Sequence, residues 1–201
     1  MSKINMRKAQ QISSVIILLI YSSLSVAELD FKKAAGNIFR VDITDFKALP
    51  SENIFKEMGC SVPQVGFVNE ADKNKTKHES YGNVIQGQFA KKGQNDWAVL
   101  CSRNNVSSIF IMWGGDVKCP SEIAKMPDKS YLQSYGDDVI LFSRWIAPAH
   151  KEEIHQLYED IEGELPPVNI VHEGINNVFE SKASVIHYCH NGKWLKLTGY
   201  D

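Results

Sequence analysis

Three histidines lie where acid–base or metal chemistry could be built: His172 beside Glu173, and His187 and His190 on either side of Cys189. An imidazole next to a carboxylate is the pairing that general acid or base catalysis uses. The run His187-Tyr188-Cys189-His190 also brings two common zinc-ligand types close together in sequence. Its spacing argues against a metal. In a strand His187 and Cys189 share one face while His190 points to the other, so the three cannot converge on an ion without a bulge. His150 and His155 are five apart on a helix, and neither His-Glu-x-x-His nor Cys-x-x-Cys occurs. No metal and no cofactor are expected.

Nucleophiles are equally unsupported. There is no Gly-x-Ser-x-Gly elbow and no Ser-x-x-Lys. A triad can still be assembled across a fold, which leaves His172-Glu173 and Asp137-Asp138 as candidate acids or bases. The plainer reading is that adjacent acids before a strand face water, and that His172 is a surface residue at the start of a short helix.

The four cysteines, Cys60, Cys101, Cys119 and Cys189, are even in number, and in an oxidising compartment they imply two disulfides. Three pairings are possible. A hairpin turn at Asn104-Asn105 would place Cys101 opposite Ser108, too far from Cys119 for a bridge. The favoured framework is Cys60 with Cys101 and Cys119 with Cys189. A bridged cysteine has no thiolate to attack with.

That compartment is set by the first 27 residues. Lys3, Arg7 and Lys8 precede an apolar run from Ile12 to Leu24, and Ser25-Val26-Ala27 ends in small residues, the pattern of a secretory signal peptide. The run falls short of the ~20 residues a membrane span needs, and no later stretch supplies one. The expectation is a periplasmic or secreted protein with one domain over 28–201, carrying no integral membrane segment after cleavage. Glu28, not cysteine, follows the cleavage site, which argues against a lipid anchor. The 24 acidic residues outnumber the 22 Lys and Arg, and the leader takes three of the bases with it. Lys73, Lys75 and Lys77 are diluted by Glu70, Asp72 and Glu79, so nucleic acid is not an expected partner.

Positioning falls to strands. Asn37 to Ile43, Asn83 to Phe89, Trp97 to Ser102, Ser107 to Trp113 and Val139 to Ile146 read as strands, several apolar on both faces. A closing hairpin joins Ser184–His190 to Trp194–Thr198 through Asn191-Gly192. Helices are expected after Pro50-Ser51, with Ile54, Phe55 and Met58 on one face and Gly59 ending it, and after Pro148. The second carries Ile154, Leu157, Tyr158 and Ile161 at i, i+3, i+4 and i+7. A short helix is also suggested by Val171, Ile175, Val178 and Phe179. Asn69 to Ser80 reads as a polar loop. The fold class is therefore α+β: a mainly antiparallel sheet with one long amphipathic helix and short helices packed on it.

Trp97, Trp113 and Trp145 read as core, whereas Trp194, between Lys193 and Lys196 on a terminal strand, reads as an outward partner contact. Asn74 and Asn105 begin N-glycosylation sequons, relevant only in a eukaryotic secretory pathway.

Gly87-Gln88-Phe89 followed by Gly93-Gln94-Asn95-Asp96-Trp97-Ala98-Val99-Leu100 resembles one strand motif of FG-GAP-type propeller repeats. The similarity covers about fifteen residues, occurs once, and has Ala90, Lys91 and Lys92 where the calcium loop would be, so it implies neither propeller nor calcium. More broadly, from GQFAKKGQNDWAVLCS to the closing GKWLKLTGYD, the chain resembles small exported bacterial proteins of unassigned function. That resemblance implies export and a single domain, and it supplies no catalytic residue. The functional expectation is an exported, disulfide-stabilised, non-enzymatic binding or inhibitory protein whose partner is a protein or an envelope component. The alternative is a periplasmic hydrolase using His172 or His187/His190 with a carboxylate.

Overall fold

Antiparallel pairing dominates because the apolar runs are rich in β-branched and aromatic residues and are separated by turns that accept left-handed backbone. The computed structural model describes residues 30–46, 49, 52–68, 83–135, 139–161 and 166–200. The leader, the polar stretch 69–80 with Asn74, and Asp137-Asp138 lie outside the described residues. The chain divides after Asp30, and Phe31–Asp201 forms one compact unit.

The order is α1 (Phe31–Gly36), β1 (Arg40–Asp42), a 3-10 turn (Ile43–Asp45), α2 (Glu52–Glu57), β2 (Ser61–Pro63), β3 (Gly66–Phe67), β4 (Val84–Gly87), β5 (Asp96–Arg103), β6 (Val106–Met112) and β7 (Glu122–Pro127). There follow a 3-10 turn (Asp128–Tyr131), β8 (Leu132–Ser134), β9 (Ile140–Phe142), β10 (Arg144–Ala149), α3 (Lys151–Asp160), β11 (Gly174–Phe179), β12 (Ala183–His190) and β13 (Lys193–Thr198). The first sheet runs β1-β2-β5-β6-β7 with β4 also on β5, the second β10-β11-β12-β13 and the third β3-β9-β8. Every pair is antiparallel.

Two hairpins follow the sequence closely. Asn104 and Asn105 have φ of 51° and 60°, and Asn191 and Gly192 have φ of 50° and 77°. Left-handed backbone at both central residues matches the twist of the flanking strands. It sets Cys101 opposite Ser108 and His190 opposite Lys193.

The expected α+β architecture with a long amphipathic helix is overturned. The protein is mostly antiparallel β, with three short helices among the described residues. Helix α3 has ten residues and begins at Lys151, after His150 as its N-cap, not at Pro148. Pro148 pairs with Ile175 at the end of β10, an edge strand where a missing N–H is tolerated. Ile154 and Leu157 are buried, but Ile161 has left the helix and is exposed. The expected short helix around Ile175 is strand β11, inside the second sheet. Pairing on both sides outweighs a coincidental three-four spacing. Gly174 opens that strand, where a Cβ would come within 2.7 Å of the Ile186 side chain and 3.1 Å of His187 O, so its bareness makes room for β12. The expected strand Val139–Ile146 breaks at Ser143 into β9 and β10, which belong to different sheets.

One face of the first sheet is covered by the 3-10 turn and α2, where Ile43, Phe55, Val62, Val99 and Cys101 form one core. On the second sheet Ile154 and Leu157 of α3 pack on Ile186, Tyr188 and Leu197. The opposite parity of β5 and β6, carrying Ala98, Leu100, Ile109 and Ile111, is also buried.

Arg144 bonds the two sheets together. Fully buried, it donates to Ser107 O (3.1 Å), Ser107 Oγ (2.7 Å), Ala124 O (2.7 Å) and Asn177 Oδ1 (3.0 Å), with its guanidinium 4.5 Å from the Tyr131 ring. Ala124 has φ of 53° where the β6–β7 register shifts, a bulge that aims its carbonyl at the arginine. Both favoured disulfides are present. Cys60–Cys101 (Cα separation 5.4 Å) fastens the end of α2 to β5, and Cys119–Cys189 (6.0 Å) fastens the β6–β7 connection to β12.

Candidate binding groove

Strand register places Gln86, Trp97 and Met112 side by side across β4, β5 and β6, with Val84, Val99 and Phe110 in the next row. Helix α2 covers the second row, its Phe55 meeting Phe110 edge to face at 5.6 Å. The first row lies beyond the helix and floors an open groove of about 620 Å³. Ile54 of α2, 44% exposed, overlooks one side, and Trp113 and Lys118 come from the β6–β7 connection.

That wall is held from behind. The Trp113 indole N–H donates to Ser121 Oγ (3.1 Å) and its ring stacks on Trp194 at 5.8 Å. Trp194 in turn donates to Pro120 O (2.8 Å) and meets His187 edge-on at 6.4 Å. The reading of the tryptophans therefore changes. All four are half-buried, so Trp97 and Trp113 reach the surface, and Trp194 supports the groove instead of standing free. Lys193 and Lys196 are exposed beside it.

Asp96, completely buried, fixes the groove's far end. Its Oδ2 accepts from the N–H groups of Phe89 and Ala90 (3.1 Å each), and its Oδ1 accepts from Gln94 Nε2 (2.8 Å) and the Gly114 N–H (2.9 Å). Gln94 also donates to Val117 O (2.7 Å). A Cβ on Gly114 would collide with Asn95 O, so glycine is required where the two segments meet. Asp96 thus binds N–H groups and anchors the connection bearing Trp113 and Lys118.

The acid–base candidates do not converge. His172 stacks on Tyr188 (4.2 Å between rings), with Nδ1 2.8 Å from Glu173 O and Nε2 3.0 Å from Cys189 O, so backbone oxygens face both ring nitrogens. The Glu173 carboxylate points elsewhere, accepting from the Gln88 N–H (2.6 Å) and lying 2.6 Å from His150 Nδ1. His187 is 3% exposed, and neither ring nitrogen has a hydrogen-bond partner among the described residues. Burial foremost, then the charges of Lys196 and Arg144, push its pKa down to about 4, leaving it neutral near pH 7. His190 projects from the other face of β12, with Asn191 Nδ2 3.0 Å from its Nε2. Among the described residues no three His, Cys, Asp or Glu side chains are grouped to hold a metal.

Sequence reasoning missed the His150–Glu173 pair, whose members are 23 positions apart. The Glu153 carboxylate accepting from the His150 N–H (3.0 Å) shows His150 as a helix N-cap, a position serine or aspartate usually marks.

The fold and groove define a disulfide-stapled, mostly antiparallel β protein with an aromatic cleft on one sheet. No protein-family model, curated protein or solved structure matches the chain. Among the described residues no helix is long and apolar enough to cross a membrane.

Proposed function

We propose that this chain is an exported, non-enzymatic binding or inhibitory module of the bacterial envelope that engages a protein partner through the Trp97 groove. The observation that carries this reading is the row Gln86–Trp97–Met112, with Gln86 exposed and Trp97 and Met112 half-buried, beside an exposed Ile54. Tryptophan and methionine at the centre of a polar-rimmed groove are the side chains that dominate protein interfaces. Lys118 is the one charged residue among those described as lining it, so the partner presents an apolar side chain flanked by a carboxylate. Two disulfides and the leader-like residues 1–27 support export. The hydrolase alternative draws little support from a His172 facing backbone oxygens, a His187 that is buried, and a His190 on the opposite face of β12 beside Asn191.

The test uses the mature disulfide-bonded protein as bait in envelope extract, alongside Trp97→Ala and Lys118→Glu. A specific protein retained by the parent should be lost roughly tenfold from both variants, as expected for a hot spot and its rim charge. Equal recovery of that protein by all three baits would overturn the groove assignment. Because Lys118 is exposed, Lys118→Glu separates binding from folding.

A further inference from the structure

The second sheet repeats the half-covered arrangement with different chemistry. Trp145, Val178 and Ser184 lie in one row across β10, β11 and β12, and Ala147, Asn176 and Ile186 form the next. Helix α3 packs on Ile186, and the row beyond it floors a separate groove of about 340 Å³, overlooked by a half-exposed Tyr200. We infer that this groove is a binding subsite for a neutral saccharide ring, with Trp145 as the stacking face and Asn176 as a hydrogen-bond acceptor.

Three observations support it. First, Asn176 lines the groove beside Trp145, and its buried Oδ1 has no hydrogen-bond partner among the described residues, an acceptor that a ligand donor would satisfy once the amide turns outward into the groove. Second, the Trp145 indole donates to Glu180 Oε2 (2.7 Å), which fixes the ring plane before any ligand arrives. Preorganised aromatic surface is what the C–H face of a pyranose packs against, drawn by the ring's negative face. Third, the polar groups are mixed. Glu180 and Asn176 accept, Lys182 donates, and Ser184, which donates to Tyr200 O (3.0 Å), has lone pairs left to accept.

An ammonium ligand would satisfy the acceptors and crowd Lys182, while a carboxylate would do the reverse. Hydroxyl groups both give and accept, and the opposite charges of Glu180 and Lys182 leave no net sign for an ion to seek. The volume lies at the low end of small-molecule sites (~300–1,000 Å³), enough for a short sugar and not for a folded partner. The inference is independent of the Trp97 groove.

Ligand-observed NMR on the mature oxidised protein tests it, using maltotriose and triacetylchitotriose as neutral probes and putrescine as the cationic one. At least one trisaccharide should bind saturably, and both Trp145→Ala and Asn176→Ala should weaken it by about tenfold or more, as loss of a stacking face or a buried hydrogen bond predicts. Trp97→Ala should leave it unchanged. Asn176→Ala removes the amide and keeps the backbone pairing of β11 to both neighbours, so, with folding checked by circular dichroism, it reports on binding even where Trp145→Ala fails to fold. Saturable binding of putrescine alone, of no trisaccharide, or of one indifferent to both variants overturns the proposal.

Discussion

A buried histidine whose ring nitrogens lack hydrogen-bond partners makes stability depend on pH, and among the described residues His187 has no such partner. The unfolded chain takes up its proton near pH 6.5, the folded chain at about 4, so between those values the unfolded state binds more protons. Stability is full above pH 6.5 and falls as the pH drops toward 4, by up to about 3 kcal/mol. His187→Leu should flatten that slope and keep stability near pH 7 within about 1 kcal/mol, since it removes two unmet polar atoms. Urea midpoints measured from pH 4 to 8 would show this, and an unchanged slope in the variant would place the titrating group elsewhere. Some residue-level facts could be read from the chain. The Asn104-Asn105 turn fixes Ser108 opposite Cys101, which made the absence of a Cys101–Cys119 bridge legible but left the choice between the other two pairings open. The burial of His187 and the approach of His150 to Glu173 were not legible, since they depend on elements distant in sequence.

At the level of elements, local turn chemistry was the most readable. Asn-Asn and Asn-Gly each carried a hairpin, and Gly59, with φ of 62°, follows α2 as expected. Helices were less legible. Ile175, Val178 and Phe179 fit a helical face as well as a strand, and neighbouring strands decide between them. The bulge at Ala124 had no sequence signal, because its carbonyl answers an arginine twenty residues away. The groove-bearing connection is the element most exposed to a single change. Asp96→Ala would leave four N–H groups without their acceptor, costing roughly 3 kcal/mol or more, while Asp96→Asn would keep part of the bonding. Chemical denaturation should rank parent, Asn and Ala variants in that order, and an Ala variant as stable as the parent would contradict the role given to Asp96. The sequence does place Asp96 before the strand, but not the four donors that converge on it.

For the molecule as a whole, the three bonds from Arg144 to Ser107 and Ala124 and the Cys119–Cys189 bridge join two sheets built from separate stretches of chain. The disulfides span 41 and 70 residues, each worth about 4 kcal/mol where the unfolded chain is constrained by a loop of that size. How the sheets meet was not legible, since no periodicity announces that residues 107, 124, 144 and 177 share one guanidinium. Two disulfides are compatible with a protein that matures in an oxidising compartment, which is the compartment the proposed export requires. The most direct measurement is intact mass analysis of the protein recovered from its native cells after alkylation under non-reducing, denaturing conditions. The account predicts a chain beginning at Glu28 with no alkylated cysteine. A chain beginning at Met1 with all four cysteines alkylated would contradict it.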